Sequence, residues 1–244
     1  MGVTQDGLLN GRVVLRQTAR GYRAGMDAAL LAAACDAKPG ETVIEAGCGP
    51  GAALLAAAVR RPRTAFTGVE RDADALALAV GNIALNALNG RVDAVGGDVT
   101  QPFKALGLAP FDAALANPPY FDDAGAIRGP AAAKTGAWIA EGGLAAWSAF
   151  LLKAVRDGGT ITVIHRADRL ADILGQLGVK AGSFRIRPAQ PFADAPAKRV
   201  LVRAVKGGKA PLVLLPPLVL HEPGGAHSAA AEAILRGAAD LPWA

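Results

Sequence analysis

Short apolar runs alternate with longer helical patterns along most of the 244-residue chain. The runs "TVIEAG", "TAFTGVE", "RVDAVGGD", "FDAALANPP" and "TITVIHR" are apolar without clean polar alternation, as strands buried on both faces are. Between them, "GAALLAAAVRR", "DADALALAVGNIALNAL", "GLAAWSAFLLKAVRDGG" and "RLADILGQLG" carry the helical pattern. Asp168 and Gly178 are the expected N-cap and C-cap of the last of these. The β-α-β-α rhythm predicts an α/β fold, a parallel sheet covered by helices on both faces.

The rhythm changes at the two ends. "SFRIRP" and "KRVLVRAVKG" predict two strands joined by the loop "AQPFADAPA", an antiparallel pair that closes the sheet. Upstream, "GMDAALLAAACDA" predicts a helix ending near Lys38-Pro39-Gly40, and "GRVVLRQTARGYR" a short β-hairpin before it. No repeat or linker divides the chain, so one domain is expected over residues 1–244. Its parts are an N-terminal hairpin and helix (1–40), a core (41–179), and terminal strands with a tail (180–244).

Composition removes several classes. With 52% hydrophobic and 19% charged residues the chain can bury a sizeable core, which excludes a disordered protein. Cys35 and Cys48 have no partner at metal-ligand spacing, so neither a disulfide framework nor a metal site is expected. The N-terminus has no signal-peptide core, and "APLVLLPPLVLH" is too short to span a bilayer and is broken by two prolines. A cytoplasmic protein with no membrane partner is the expectation.

The net charge of +5 is unevenly spread. Residues 1–25 hold four arginines against one aspartate, and residues 180–209 hold eight basic groups against Asp194 alone. Such an excess attracts a polyanion. Lysines and arginines also protect sheet edges, and charge alone leaves both readings open.

The chemistry starts at "VIEAGCGPGAA". A strand through Ile44 ends at Glu45, and Gly47, Gly49 and Gly51 form the turn into a helix. Glycines there allow positive φ and close approach of the backbone to a ligand at a helix N-terminus. The spacing acid-x-G-x-G-x-G differs from the dinucleotide fingerprint G-x-G-x-x-G, which argues against NAD. It resembles motif I of the class I S-adenosylmethionine-dependent methyltransferases, with Pro50 where that family often has Ser or Thr. The resemblance implies a Rossmann-like, seven-stranded mixed sheet and S-adenosylmethionine as cofactor. It implies that the glycine turn holds the methionine part, that Glu70 after the second strand binds the ribose hydroxyls, and that Asp98 after the third lies near the adenine amine. Acids at the carboxyl ends of successive strands stand where open α/β sheets bind ligands.

The fourth strand ends in Asn117-Pro118-Pro119-Tyr120. An amine attached to an aromatic ring or a carbonyl has its lone pair delocalised and attacks poorly. Two acceptors for its N–H groups favour a pyramidal nitrogen aimed at a methyl donor. Asn117 supplies a side-chain carbonyl and Pro118 a backbone carbonyl, Pro119 stiffens the unit before it, and Tyr120 offers a stacking face. No titrating base is needed for the attack, because the amine becomes acidic only as the methyl arrives. The tetrapeptide is the (Asn/Asp)-Pro-Pro-(Tyr/Phe) signature of the amino-methyltransferases, which implies catalytic roles for all four residues and a cofactor contact for Asn117.

The signature does not name the molecule bearing the nitrogen. Adenine in DNA or RNA, guanine in ribosomal RNA, a glutamine side chain and a small molecule remain open, as does an RNA-binding module without chemistry. The stretches "GYRAGMDAALLAAA", "EAGCGPG", "NPPYF", "LPPLVLHEPGG" and "AEAILRG" resemble the bacterial family that methylates N6 of an anticodon-loop adenine in a valine tRNA. That resemblance implies tRNA as the partner. Arg128, Lys134, Arg185, Arg187, Lys198, Arg199 and Arg203 are then candidates to hold its phosphates while the base turns out. Trp147 and His165 are expected to be structural, and Cys48 to have no redox role.

Overall fold

The computed structural model describes residues 2–19, 25–119 and 143–244. An antiparallel hairpin, β1 (Val3–Leu8) and β2 (Val13–Thr18), precedes helix α1 (Met26–Ala34). There follow β3 (Thr42–Ala46), α2 (Ala52–Arg60), β4 (Ala65–Glu70), α3 (Ala73–Leu85), β5 (Val92–Gly96) and β6 (Phe111–Ala116). The second half holds α4 (Gly143–Ala154), β7 (Val155–Arg166), α5 (Leu170–Leu177), β8 (Ala181–Gln190) and β9 (Arg199–Lys206). Two short strands, β10 (Val213–Leu214) and β11 (Leu218–Val219), and helix α6 (Ala229–Leu235) end the chain.

The sheet runs β5-β4-β3-β6-β7-β9-β8, with β10 and β11 both beside β8. The first five strands are parallel, and β9 is antiparallel to both β7 and β8. The α/β fold with its closing antiparallel pair is thus as expected, but the sheet is wider than seven strands. Its extra width comes from the apolar run before His221, which adds two parallel two-residue strands. The hairpin also begins earlier than expected, at Val3. Strand β7 begins at Val155, inside the stretch expected to be helical, and a register shift against β6 absorbs the extra residues. Gly159 sits at that shift because a Cβ there would lie 2.8 Å from the Asp112 carbonyl. Asp168 caps no helix; it pairs with Arg166 in a short 3-10 turn. No helix among the described residues is long and apolar enough to cross a membrane.

Alternation within strands divides the core. Val43, Ala113, Leu115 and Leu201 face the layer holding α1, α2, α3 and α6. Ile44, Ala114, Ala116, Val163 and Val202 face α4 and α5. The C-terminal tail closes onto the first layer. Leu241 N–H donates to the Ala33 carbonyl (2.9 Å) and Trp243 Nε1 to the Ala34 carbonyl (2.8 Å), which completes the C-terminal turn of α1.

Asp112 fixes the alignment of the central strands. Its carboxylate accepts from Thr42 N–H (2.7 Å) and Oγ1 (3.0 Å) on β3, and from Arg156 Nε (2.6 Å) on β7. The Thr42 amide, reinforced by Arg156, holds the carboxyl below its usual range although burial acts the other way. Asp112→Ala should cost about 1–3 kcal/mol of stability, read as a lower urea midpoint at unchanged slope. Because the folded pKa is depressed, that stabilisation is present above the ordinary aspartate range and lost as pH falls through the folded value. The gap between wild type and variant should therefore narrow on acidification.

Candidate active site

Register brings the sequence motifs to one rim. Ala46 pairs with Ala116 on one side and with Val69 on the other, and Glu70 pairs with Gly96. One residue further along, Asn117, Gly47 and Glu70 stand side by side at the carboxyl ends of β6, β3 and β4. Asp98 follows β5 on the same rim.

The turn after β3 is built as its glycines require. Gly47, Gly49 and Gly51 have φ of 62°, 55° and 91°, in the left-handed region that side chains disfavour. Gly47 has a second reason: a Cβ there would stand 2.3 Å from the indole ring of Trp147 on α4. Trp147 is therefore a packing residue, as expected, that also forms one wall of the cleft. Cys48 packs against Gly68 of β4, and burial, then Glu45 and Glu70, push its thiol well above the usual range. Such a thiol is inert, in keeping with the absence of any redox role.

Two acids meet beneath this turn. Glu45 alternates to the same side as Val43 and lies under the N-terminus of α2, where the Leu54 N–H reaches it. Its Oε2 is buried and has no hydrogen-bond partner among the described residues. Burial first, and then the nearby Glu70, push the Glu45 carboxyl well above the usual range. Glu70 is also buried, but its Oε1 accepts from the Arg71 and Asp72 N–H groups (both 2.9 Å) and its Oε2 from the Gly49 N–H (2.8 Å). The β4 carboxylate thus braces the glycine turn. With Oε1 accepting twice, Oε2 keeps one acceptor site for a ligand.

Asp98 is half-buried. Burial raises its pKa, but the Thr100 N–H (2.8 Å), the Thr100 side chain and Arg71 (3.0 Å) outweigh it and hold the carboxyl below its usual range. Arg71 was not singled out in the sequence, yet it joins the two acidic corners of the site. Gly47, Glu70, Arg71, Asp98, Thr100 and Trp147 line one cleft with about 370 Å³ of space free of protein atoms.

Asn117 and Pro119 are half-buried at the mouth of β6, and Pro118 is buried. Tyr120, Arg128 and Lys134 lie outside the described residues. The basic groups counted near the C-terminus are placed differently from what charge suggested. Arg187 is buried, and its guanidinium donates to the carbonyls of Pro216 (2.8 Å) and Pro242 (2.7 Å). Arg185 donates to the Trp243 carbonyl (2.7 Å). Both hold the tail instead of presenting charge to a polyanion. Arg203 pairs with Asp36 (2.7 Å) and Arg199 with Asp27 (3.0 Å). Lys198 is exposed, and it and Arg199 lie at the rim where the parallel strands end, because Arg199 pairs in register with Arg166 at the end of β7.

Residues 23–134 match the profile of the methyltransferase small domain. Among solved structures, the fold is similar to that of a predicted O-methyltransferase from Agrobacterium tumefaciens. The two share 26% identity over 88% of this chain and 98% of the other, at a TM-score of 0.74. The chain has the fold of the S-adenosylmethionine-dependent methyltransferases, and that fold implies S-adenosylmethionine as cofactor. TrmN from Thermus thermophilus shares the fold at 20% identity over 74% of this chain, with a TM-score of 0.53; this chain covers 48% of its length. An O-methyltransferase from Thermotoga maritima shares it at 16% identity over 80% of this chain and 69% of the other, at 0.55. No curated protein sequence matches the chain. A glycine turn over the buried Glu45 carboxyl, beside a cleft with two further acids, fits a ligand carrying a sulfonium and an ammonium.

The raised Glu45 pKa has a consequence for stability. Between the ordinary glutamate range and the raised value, the folded protein binds a proton that the unfolded chain has released. Stability therefore falls as pH rises through that window. Glu45→Gln removes the proton exchange, so its melting temperature should gain on wild type as pH is raised from about 5 to about 8, read by circular dichroism. A gap that is flat with pH would place the Glu45 pKa in the ordinary range.

Proposed function

We propose that this protein transfers a methyl group to an exocyclic amine of a nucleobase, adenine N6 in the anticodon loop of a tRNA. The observation carrying this reading is the register pair Ala46–Ala116. It sets Asn117, the first residue of the Asn-Pro-Pro-Tyr sequence, level with Gly47 of the glycine turn. In this reading Gly47, Gly49, Gly51, Glu45, Glu70 and Asp98 hold the cofactor, which supplies an electrophilic methyl when bound. The Asn117 side-chain carbonyl and the Pro118 backbone carbonyl accept the two amine N–H groups and turn the nitrogen lone pair outward. Asn117 is an amide and cannot take a proton, which suits an amine that sheds its proton to solvent after the bond forms. Tyr120 serves as the stacking face, while Lys198 and Arg199 on the same rim meet phosphates. Arg128 and Lys134 remain candidates for that role. Arg185, Arg187 and Arg203 are better understood as structural. TrmN's fold likeness and the basic N-terminal segment are compatible with RNA.

Transfer to a hydroxyl is the second reading, favoured by the likeness to the predicted Agrobacterium O-methyltransferase. It differs in needing a group to remove the hydroxyl proton, a role an amide does not fill.

Incubation with unmodified total tRNA and methyl-labelled cofactor, followed by nucleoside mass analysis, separates the readings. The expected product is N6-methyladenosine. Label in a ribose-methylated nucleoside, in protein or in a metabolite would overturn the assignment. Asn117→Ala should lower kcat by about 10²–10³-fold while changing the KM for the cofactor far less.

A further inference from the structure

Helix α3 and its C-cap carry two asparagines one turn apart, Asn82 and Asn86, and both turn their carboxamides toward the hairpin. Asn82 Oδ1 accepts from Arg16 N–H (2.8 Å) and its Nδ2 donates to the Arg16 carbonyl (2.8 Å). Asn86 does the same with Val14, accepting its N–H (2.8 Å) and donating to its carbonyl (2.7 Å). Residues 14 and 16 are alternate positions on β2, so their main-chain groups point the same way. The rise of about 6 Å between helix positions i and i+4 nearly matches the roughly 6.8 Å between alternate strand residues. Two side-chain amides thus take the place of a neighbouring strand along the outer edge of β2.

Asn86 Nδ2 also donates to the Asn82 carbonyl one turn back (2.7 Å), whereas Asn82 reaches the glycine turn. The Asn82 Nδ2 donates to the Pro50 carbonyl (2.9 Å), the centre of the turn between Gly49 and Gly51. The Asn82 side chain is fully buried, and its three bonds all run to the main chains of the hairpin and the glycine turn. That turn is pinned from the other side by Glu70 through the Gly49 N–H. Pro50 has no N–H, so its carbonyl is its only main-chain group able to form a hydrogen bond. Helix α3 also approaches the turn closely, since a Cβ on Gly51 would lie 3.8 Å from the Ala79 Cα.

We propose that Asn82 is a positioning residue for the cofactor, coupling the N-terminal hairpin to the glycine turn through the Pro50 carbonyl. Docking of the hairpin and the shape of the turn then share one amide. A ligand that needs the turn in this shape tightens the β2 edge, and a loosened β2 edge weakens the ligand.

The test compares Asn82→Ala with Asn86→Ala by calorimetric titration of S-adenosylhomocysteine, at a temperature where both variants are folded by circular dichroism. Each variant removes two bonds to β2, but only the first frees Pro50. The expected result is a loss of affinity of at least about tenfold for Asn82→Ala and under about threefold for Asn86→Ala. Equal losses in the two, or an Asn82→Ala affinity equal to wild type, would overturn the proposal. Should Asn82→Ala fail to fold, hydrogen exchange of the wild-type chain takes its place. The peptide covering β2 should then exchange several-fold more slowly with S-adenosylhomocysteine bound, and unchanged exchange would overturn the coupling.

Discussion

Parallel neighbours have no tight turn between them to set their alignment, so something else must decide which residue faces which. Here that task falls to Asp112 at the amino end of the sheet, whose two oxygens tie β3 and β7 to β6. A slip of one residue would move a strand end by about 3.3 Å and send its side chains to the wrong layer. With Asp112 in place, strands of five and six residues end level at the opposite rim. The distance between the glycine turn and the Asn-Pro-Pro sequence is thus set far from either.

At that rim the electrostatics are divided. Glu70 and Asp98 accept several N–H groups each, while burial and the nearby Glu70 push the Glu45 carboxyl well above its usual range. The same Glu70 carboxylate that holds Gly49 also lines the cleft.

Much of this was legible in the residues themselves. The strand–helix rhythm, the glycine turn and the acids after β3, β4 and β5 are local patterns, and local patterns survive in a linear reading. The bracing by Glu70 was not legible, since it depends on a neighbouring strand's register. Trp147 was recognised as packing, but nothing local says that its ring comes from α4 to rest on Gly47. Arg71, Asn82 and Asp112 carry no motif and act only through residues tens of positions away. Counting charge misled most, because a count cannot see that Arg185 and Arg187 face carbonyls of the tail. The short strands β10 and β11 escaped because two-residue strands flanked by prolines have no period to detect.

The tail that completes α1 has a bearing on biosynthesis. Trp243 and Ala34 are separated by 209 positions. At about 5–20 residues per second, a ribosome takes roughly 10 to 40 s to make the intervening chain. Throughout that interval the nascent helix must wait with its last carbonyls facing solvent, and the layer it shares with α2 stays open along one flank. Folding from the N-terminus can assemble the sheet during translation, but this seal forms only after Trp243 clears the exit tunnel.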